Sequence, residues 1–256
     1  MPIADLPRPD AVALAHSASV VRAVRAAIEA ADGWIPFERY MDIALHAPGL
    51  GYYAAGATKL GAAGDFTTAP EMTPLFGAAL ACQVDAILRT TAGREILELG
   101  AGSGRLAHDL MIALAERGAA PTRYAILEPS PDLAARQRAT LAALPPDLGA
   151  RVTWVSALPA QVDGAILANE VLDAIAVHLV ARTGGRYVER GVAEDERAGT
   201  LVFADRPAPE PLAALAGQRF PPAIDYCSEF NPAAEALVQE LGRILVGGAL
   251  LIVDYG

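Results

Sequence analysis

Apolar residues recur at helical spacing through the first third of the chain. Val20, Val21, Val24 and Ile28 share one side of a helix over 20–31, with Arg22 and Arg25 on the other. The same spacing predicts helices over 37–45 and 75–88, and a loop rich in glycine and threonine between them. After residue 93 the pattern changes. Short apolar runs at 95–99, 123–127, 152–155 and 164–168 alternate with helical stretches at 105–117 and 131–143, which predicts a parallel sheet with helices on both faces. A β-rich excursion at 177–204, with Gly184-Gly185 as its turn, follows; a helix over 232–245 then leads into a fifth strand at 249–254. The expected fold is therefore α/β, a doubly wound Rossmann-like sheet. An N-terminal helical region, 1–92, which includes the loop 46–71, is expected to cover the sheet domain, 93–256.

The first of these strands ends in glycines. Glu95-Ile-Leu-Glu-Leu-Gly-Ala-Gly-Ser-Gly-Arg105 delivers a buried strand to a helix start through Gly100, Gly102 and Gly104. Glycines at such a junction let the backbone approach a ligand closely, and each gives up backbone entropy that a simple tight turn does not require. A dinucleotide fingerprint, G-x-G-x-x-G, needs glycine where this chain has Arg105. The spacing G-x-G-x-G, with Glu98 two residues upstream, points instead to S-adenosylmethionine (SAM). Its ribose hydroxyls need an acceptor, and Glu128, which ends the run Tyr124-Ala-Ile-Leu-Glu128, supplies a carboxylate at the next strand end. Pro129-Ser130-Pro131 after it signals a helix start, so a helix-capping role for Glu128 stays open.

Carboxyl ends of strands are where ligands bind in such sheets. Asn169, Glu170 and Asp173 follow the run 164–168, with Glu170 and then Asp173 as candidate catalytic carboxylates and Asn169 as a cofactor contact. A helix-capping turn is the competing reading of this segment. Asp65, Thr67, Thr68 and Glu71 form a second cluster in the threonine loop, while Thr68 and Glu71 also fit a capping box.

Composition narrows the partners. The chain has 256 residues, 53% hydrophobic, and a formal net charge of −10, which argues against nucleic acid or an anionic membrane surface and leaves a basic protein segment open. The apolar stretch 244–253 is too short to cross a bilayer. Cys82 and Cys227 are too few for a disulfide framework and suit a reducing compartment. The four histidines show no metal-binding spacing, so no metal is expected.

Together these segments resemble the MidA family of SAM-dependent methyltransferases. The resemblance rests on Gly51-Tyr52-Tyr53, Gly64-Asp-Phe-Thr-Thr-Ala-Pro-Glu71, Leu97-Glu-Leu-Gly-Ala-Gly-Ser-Gly104, Asn169-Glu-Val-Leu-Asp-Ala174, Glu229-Phe-Asn-Pro232 and Asp254-Tyr255-Gly256. It implies SAM as cofactor, with the loop 46–71 as a lid and Asp65, Thr67 and Thr68 facing the cofactor, and a protein arginine as substrate, such as one on a respiratory complex I subunit, in a mitochondrial matrix or a bacterial cytoplasm. It also implies a seven-stranded sheet, of which the last two strands are expected to be absent here. A small-molecule methyltransferase and a non-catalytic assembly factor of the same fold remain the alternatives.

Overall fold

The computed structural model describes residues 9–54, 68–221 and 224–255. In chain order the elements are α1 (Ala11–Ala30), β1 (Ile35–Pro36), α2 (Phe37–His46), α3 (Ala69–Met72), α4 (Leu75–Leu88), β2 (Glu95–Leu99), α5 (Arg105–Glu116), β3 (Arg123–Leu127), α6 (Pro131–Leu141), α7 (Pro146–Gly149), β4 (Val152–Val155), β5 (Val162–Asn169), β6 (His178–Thr183), β7 (Arg186–Asp195), β8 (Thr200–Pro207), α8 (Glu210–Arg219), β9 (Tyr226–Phe230), α9 (Pro232–Ile244) and β10 (Leu245–Val253). Contacts divide the chain into two compact units, Met1–Ala55 with Ile175–Ala233, and Gly56–Ala174 with Ala234–Gly256.

The second unit is a parallel sheet in the order β10-β5-β2-β3-β4. Its strands are apolar on both faces, as a sheet covered on both sides requires. Ile96, Tyr124, Ile126, Ala165 and Leu167 point into one core, shared with Ala81, Val84 and Leu88 of α4 and Leu110, Met111 and Leu114 of α5. Leu97, Leu99, Ala125 and Ile166 point into the other, closed by Leu241 and Ile244 of α9. Each fully buried Leu, Ile, Val or Met side chain among them contributes roughly 1.5–3 kcal/mol. The strand order reverses at β2, with β3 and β4 on one side and β5 and β10 on the other. That switch point, at the carboxyl ends of β2 and β5, is where a doubly wound sheet opens a crevice.

β2, β3 and β4 fall on their expected residues, while β10 begins four residues before the expected 249. Gly247-Gly248 does not interrupt it. A Cβ on Gly248, φ +106°, would lie 1.8 Å from the Gly164 carbonyl oxygen, so glycine here permits close pairing of β10 with β5. The division of the chain also differs from the expected boundary at residue 92, because α3 and α4 belong with the parallel sheet: the inward face of α4 is part of its core.

The first unit is an antiparallel sheet in the order β1-β7-β6-β9, with β8 paired to β7. The excursion expected over 177–204 extends through α8 and β9 to residue 230. It also captures the N-terminal region, since Ile35 pairs with Val192 and Pro36 with Gly191. Val24 and Ile28 of α1 pack with Ile43 of α2 and with Ile35 and Val192. α1 starts at Asp10, whose side chain accepts the Ala13 N–H at 2.8 Å. By length and composition α1 is apolar enough to cross a membrane. Here Arg25 pairs with Glu194 at 3.0 Å, and the helix presents its inward side to the antiparallel sheet.

Candidate cofactor and acidic site

The turn between β2 and α5 carries three residues in the left-handed region: Gly100 at φ +60°, Gly102 at +53° and Gly104 at +83°. A side chain at any of them strains the backbone by about 1–2 kcal/mol. Space is also short at two of them. A Cβ on Gly100 would meet the Val171 side chain at 3.3 Å, and one on Gly104 would meet the Gln137 Cα at 3.1 Å. The Gly100 N–H donates to the Leu127 carbonyl at 3.1 Å, and the Gly104 N–H to Ala101 at 2.7 Å. The loop is thus closed on itself and anchored to β3.

α6 holds it from the other side. Gln137 donates to the Gly102 carbonyl at 3.1 Å, and the Thr140 hydroxyl donates to the Ser103 carbonyl at 2.7 Å. Ser103 in turn donates its hydroxyl to the Glu71 carboxylate. This is not the expected capping box. Thr68 sits at the N-cap of α3 but makes no side-chain cap bond, and Glu71 reaches the glycine loop instead. Asp65 and Thr67 lie outside the described residues.

Glu128, past the end of β3, has one partner on each carboxylate oxygen: the Ser130 N–H at 2.9 Å and the Gln137 amide at 2.9 Å. The capping reading of this residue is partly realised, because Ser130 is itself the N-cap of α6. A carboxylate has about four lone-pair sites, so acceptor capacity remains for a pair of hydroxyls. Burial raises its pKa above the usual carboxylate range, against the lowering effect of its two hydrogen bonds.

Glu98 lies elsewhere. It is 2% exposed and accepts the Tyr124 hydroxyl at 2.8 Å, on the face of the sheet covered by α4 and α5. Burial pushes its pKa up to about 7, the Tyr124 hydrogen bond opposes this, and the nearby Glu128 charge adds to it. The Tyr124 hydroxyl is itself raised by burial and by the Glu98 charge. The expectation of a carboxylate presented at the strand end is therefore corrected: alternation along β2 turns Glu98 into the core.

The end of β5 gathers three acids. Asn169 closes the strand, and its half-buried side chain has no hydrogen-bond partner among the described residues. Glu170 follows at φ +51°, a conformation rare for a non-glycine residue, and its N–H donates to the Val253 carbonyl at 2.8 Å. No helix begins at 169–173, so the capping alternative for this segment is not realised. Asp254, just beyond β10, organises the turn. Its Oδ2 accepts the N–H groups of Leu172 at 2.8 Å and Asp173 at 3.3 Å, and its Oδ1 accepts Tyr255 at 2.8 Å. Glu170 is raised by partial burial and by the charges of Asp173 and Asp254; Asp173 is raised by partial burial and by Asp254. Among the described residues no basic side chain pairs with this cluster.

Comparison with known proteins fixes the kinship. Residues 76–256 match the family described as "Putative S-adenosyl-L-methionine-dependent methyltransferase". The chain belongs to this family. A Burkholderia thailandensis relative, solved with S-adenosylhomocysteine bound, is 46% identical with a TM-score of 0.89 over 98% of this chain and 66% of its own. The mitochondrial protein arginine methyltransferase NDUFAF7 of Danio rerio is 29% identical over 88% of this chain and 59% of its own length. Its human counterpart is 28% identical over 88% and 56%. The chain thus spans about three fifths of the length of these curated relatives.

Within this family member the switch point brings together the glycine loop, Glu128, Asn169 and the Glu170–Asp173 turn, all from the parallel-sheet unit. The sequence places Glu71 in the threonine cluster with a capping box as its other reading, and Asp254 enters only through a family motif. Gln137 gives no signal, since one glutamine on a helix carries no spacing.

Proposed function

We propose that this chain carries the SAM-binding core of a methyltransferase acting on protein arginine. What supports the cofactor is a cradle whose donor set fits it: a closed glycine loop beside a hydrogen-bonded carboxylate with spare acceptor capacity, at the switch point of the sheet. Glu128 would take the ribose hydroxyls, and Gly100–Gly104 would lie along the amino-acid portion. When bound, SAM supplies a methyl carbon already activated by its positively charged sulfur. The relative solved with S-adenosylhomocysteine supports the choice of cofactor.

The protein's own contribution is then to hold and deprotonate the nucleophile. A guanidinium stays protonated in water and offers a planar fork of N–H donors. Glu170 and Asp173 would accept these hydrogen bonds, and Glu170 would take the proton as the new N–C bond forms. The single observation that carries the arginine reading is the acidic cluster itself. Partial burial, then the charges of Asp173 and Asp254, raises the pKa of Glu170, and partial burial with Asp254 raises that of Asp173; no basic side chain pairs with them among the described residues, so a guanidinium relieves the repulsion. The arginine methyltransferases among the relatives support it further, and a respiratory complex I subunit, in a mitochondrial matrix or a bacterial cytoplasm, is the substrate we propose.

The test is calorimetry with SAM, followed by methyl transfer to a library of arginine-bearing peptides and to the same peptides with lysine. Transfer to arginine alone supports the reading, and transfer only to small molecules overturns it.

A further inference from the structure

Gln137 is wholly buried in α6, with its side chain within hydrogen-bond reach of both the glycine loop and Glu128. Its amide is bonded at every side. The Trp154 indole N–H meets Oε1 at 2.9 Å, and Nε2 meets Glu128 Oε2 at 2.9 Å and the Gly102 carbonyl at 3.1 Å. An indole N–H can only donate, so it fixes the amide oxygen on the Trp154 side. The NH2 group then faces two acceptors, as its chemistry requires. Trp154 is held in its turn, with the Arg138 guanidinium 4.6 Å from its ring centroid.

We propose that Gln137 is a positioning residue for cofactor recognition. It fixes the angle of the Glu128 carboxylate and ties it to the carbonyl of the central glycine, so that ribose acceptor and glycine cradle form one rigid element. This rests on the cofactor reading above. With one protein donor on each Glu128 oxygen, each oxygen keeps capacity for one of two vicinal hydroxyls. The ligand class is therefore a cis-diol on a nucleoside. Loss of Gln137 leaves a partly buried carboxylate with one donor and a loop no longer referenced to it.

Gln137→Glu tests this because the new side chain has the same shape. Ionised, it sets a second carboxylate against Glu128 and the Gly102 carbonyl. Protonated, it donates one hydrogen bond to Glu128 and still accepts from Trp154. Calorimetric titration with S-adenosylhomocysteine from pH 5 to 8 should show affinity at least about tenfold below wild type at pH 8. The gap should narrow as pH falls. Gln137→Met, which can neither donate to Glu128 nor accept from Trp154, should bind more weakly than wild type at every pH in this range.

The Trp154 indole proton resonance, assigned by its loss in Trp154→Phe, reads the network without ligand. It should titrate in folded Gln137→Glu and stay fixed in wild type. A pH-independent affinity ratio in Gln137→Glu, or wild-type affinity in Gln137→Met, overturns the role. If wild type binds no S-adenosylhomocysteine while the indole resonance titrates, the network stands and the cofactor reading falls. An indole resonance that does not titrate in Gln137→Glu overturns the network.

Discussion

Ser103 donates its hydroxyl to Glu71, a carboxylate 32 positions earlier in the chain. The bond joins the short helix α3 to the middle of the glycine loop, between the two residues whose positive φ angles flank it. Ser103→Ala and Glu71→Gln should each destabilise the fold by about 1 kcal/mol. In a double-mutant cycle the two should couple by about 1 kcal/mol. S-adenosylhomocysteine binding should weaken in both single variants, because the loop loses a tether. Strict additivity in denaturant unfolding would show that the contact has no energetic content.

Much of the second unit was legible before its structure. β2 and β3 are short apolar runs between polar breaks, buried on both faces, and β4 is a half-buried edge strand of the same kind; such strands announce themselves locally. The positive φ values of Gly100, Gly102 and Gly104 follow from residue type. The antiparallel unit was legible only in part. Its edge is built by Ile35 and Pro36 pairing with Val192 and Gly191, and two residues of strand leave no periodic signal. Glu98 was misplaced for a related reason: its sequence position suggested the strand end, whereas its side chain follows the alternation of β2 toward Tyr124.

Glu98 makes the stability of the protein depend on pH. Its folded pKa, about 7, is raised above the ordinary value of 4.5, so the folded state binds a proton that the unfolded state releases across that interval. The associated stabilisation is full below pH 4.5 and is lost as pH rises toward 7, by on the order of 3 kcal/mol at most. Glu98→Gln keeps an acceptor for Tyr124 and removes the titration. Its unfolding free energy, followed in urea from pH 4.5 to 8, should lack this component. A slope equal to that of wild type would place the proton elsewhere.

Glu170→Gln should leave S-adenosylhomocysteine affinity within about twofold and lower arginine methylation at least about tenfold, the order expected for a lost catalytic carboxylate. Glu170→Gly goes further. It relieves the left-handed strain at φ +51° and the repulsion from Asp173 and Asp254, so it should stabilise the fold by about 1 kcal/mol while abolishing transfer. A variant both less stable and fully active would remove Glu170 from the mechanism.

Gly102→Val should abolish S-adenosylhomocysteine binding in a protein that still folds. A β-branched residue is ill suited to φ +53°, and the substitution disturbs the carbonyl that Gln137 grips. Calorimetry on folded variant protein decides it, and unchanged affinity would move the cofactor away from this loop.

The chain passes between the two compact units three times, after residues 55, 174 and 233. That connectivity sets a timetable for synthesis. Ile35 must wait for Val192 to emerge before β1 has a partner, and at about 5–20 residues per second that delay is on the order of ten seconds. Throughout it, Val24, Ile28 and Ile43 have no completed sheet to cover them. The parallel strands meanwhile arrive in succession but for β10, whose partner β5 is translated long before it. A nascent chain of this protein therefore presents its N-terminal helices to the cell, including its chaperones, before it presents a finished binding site.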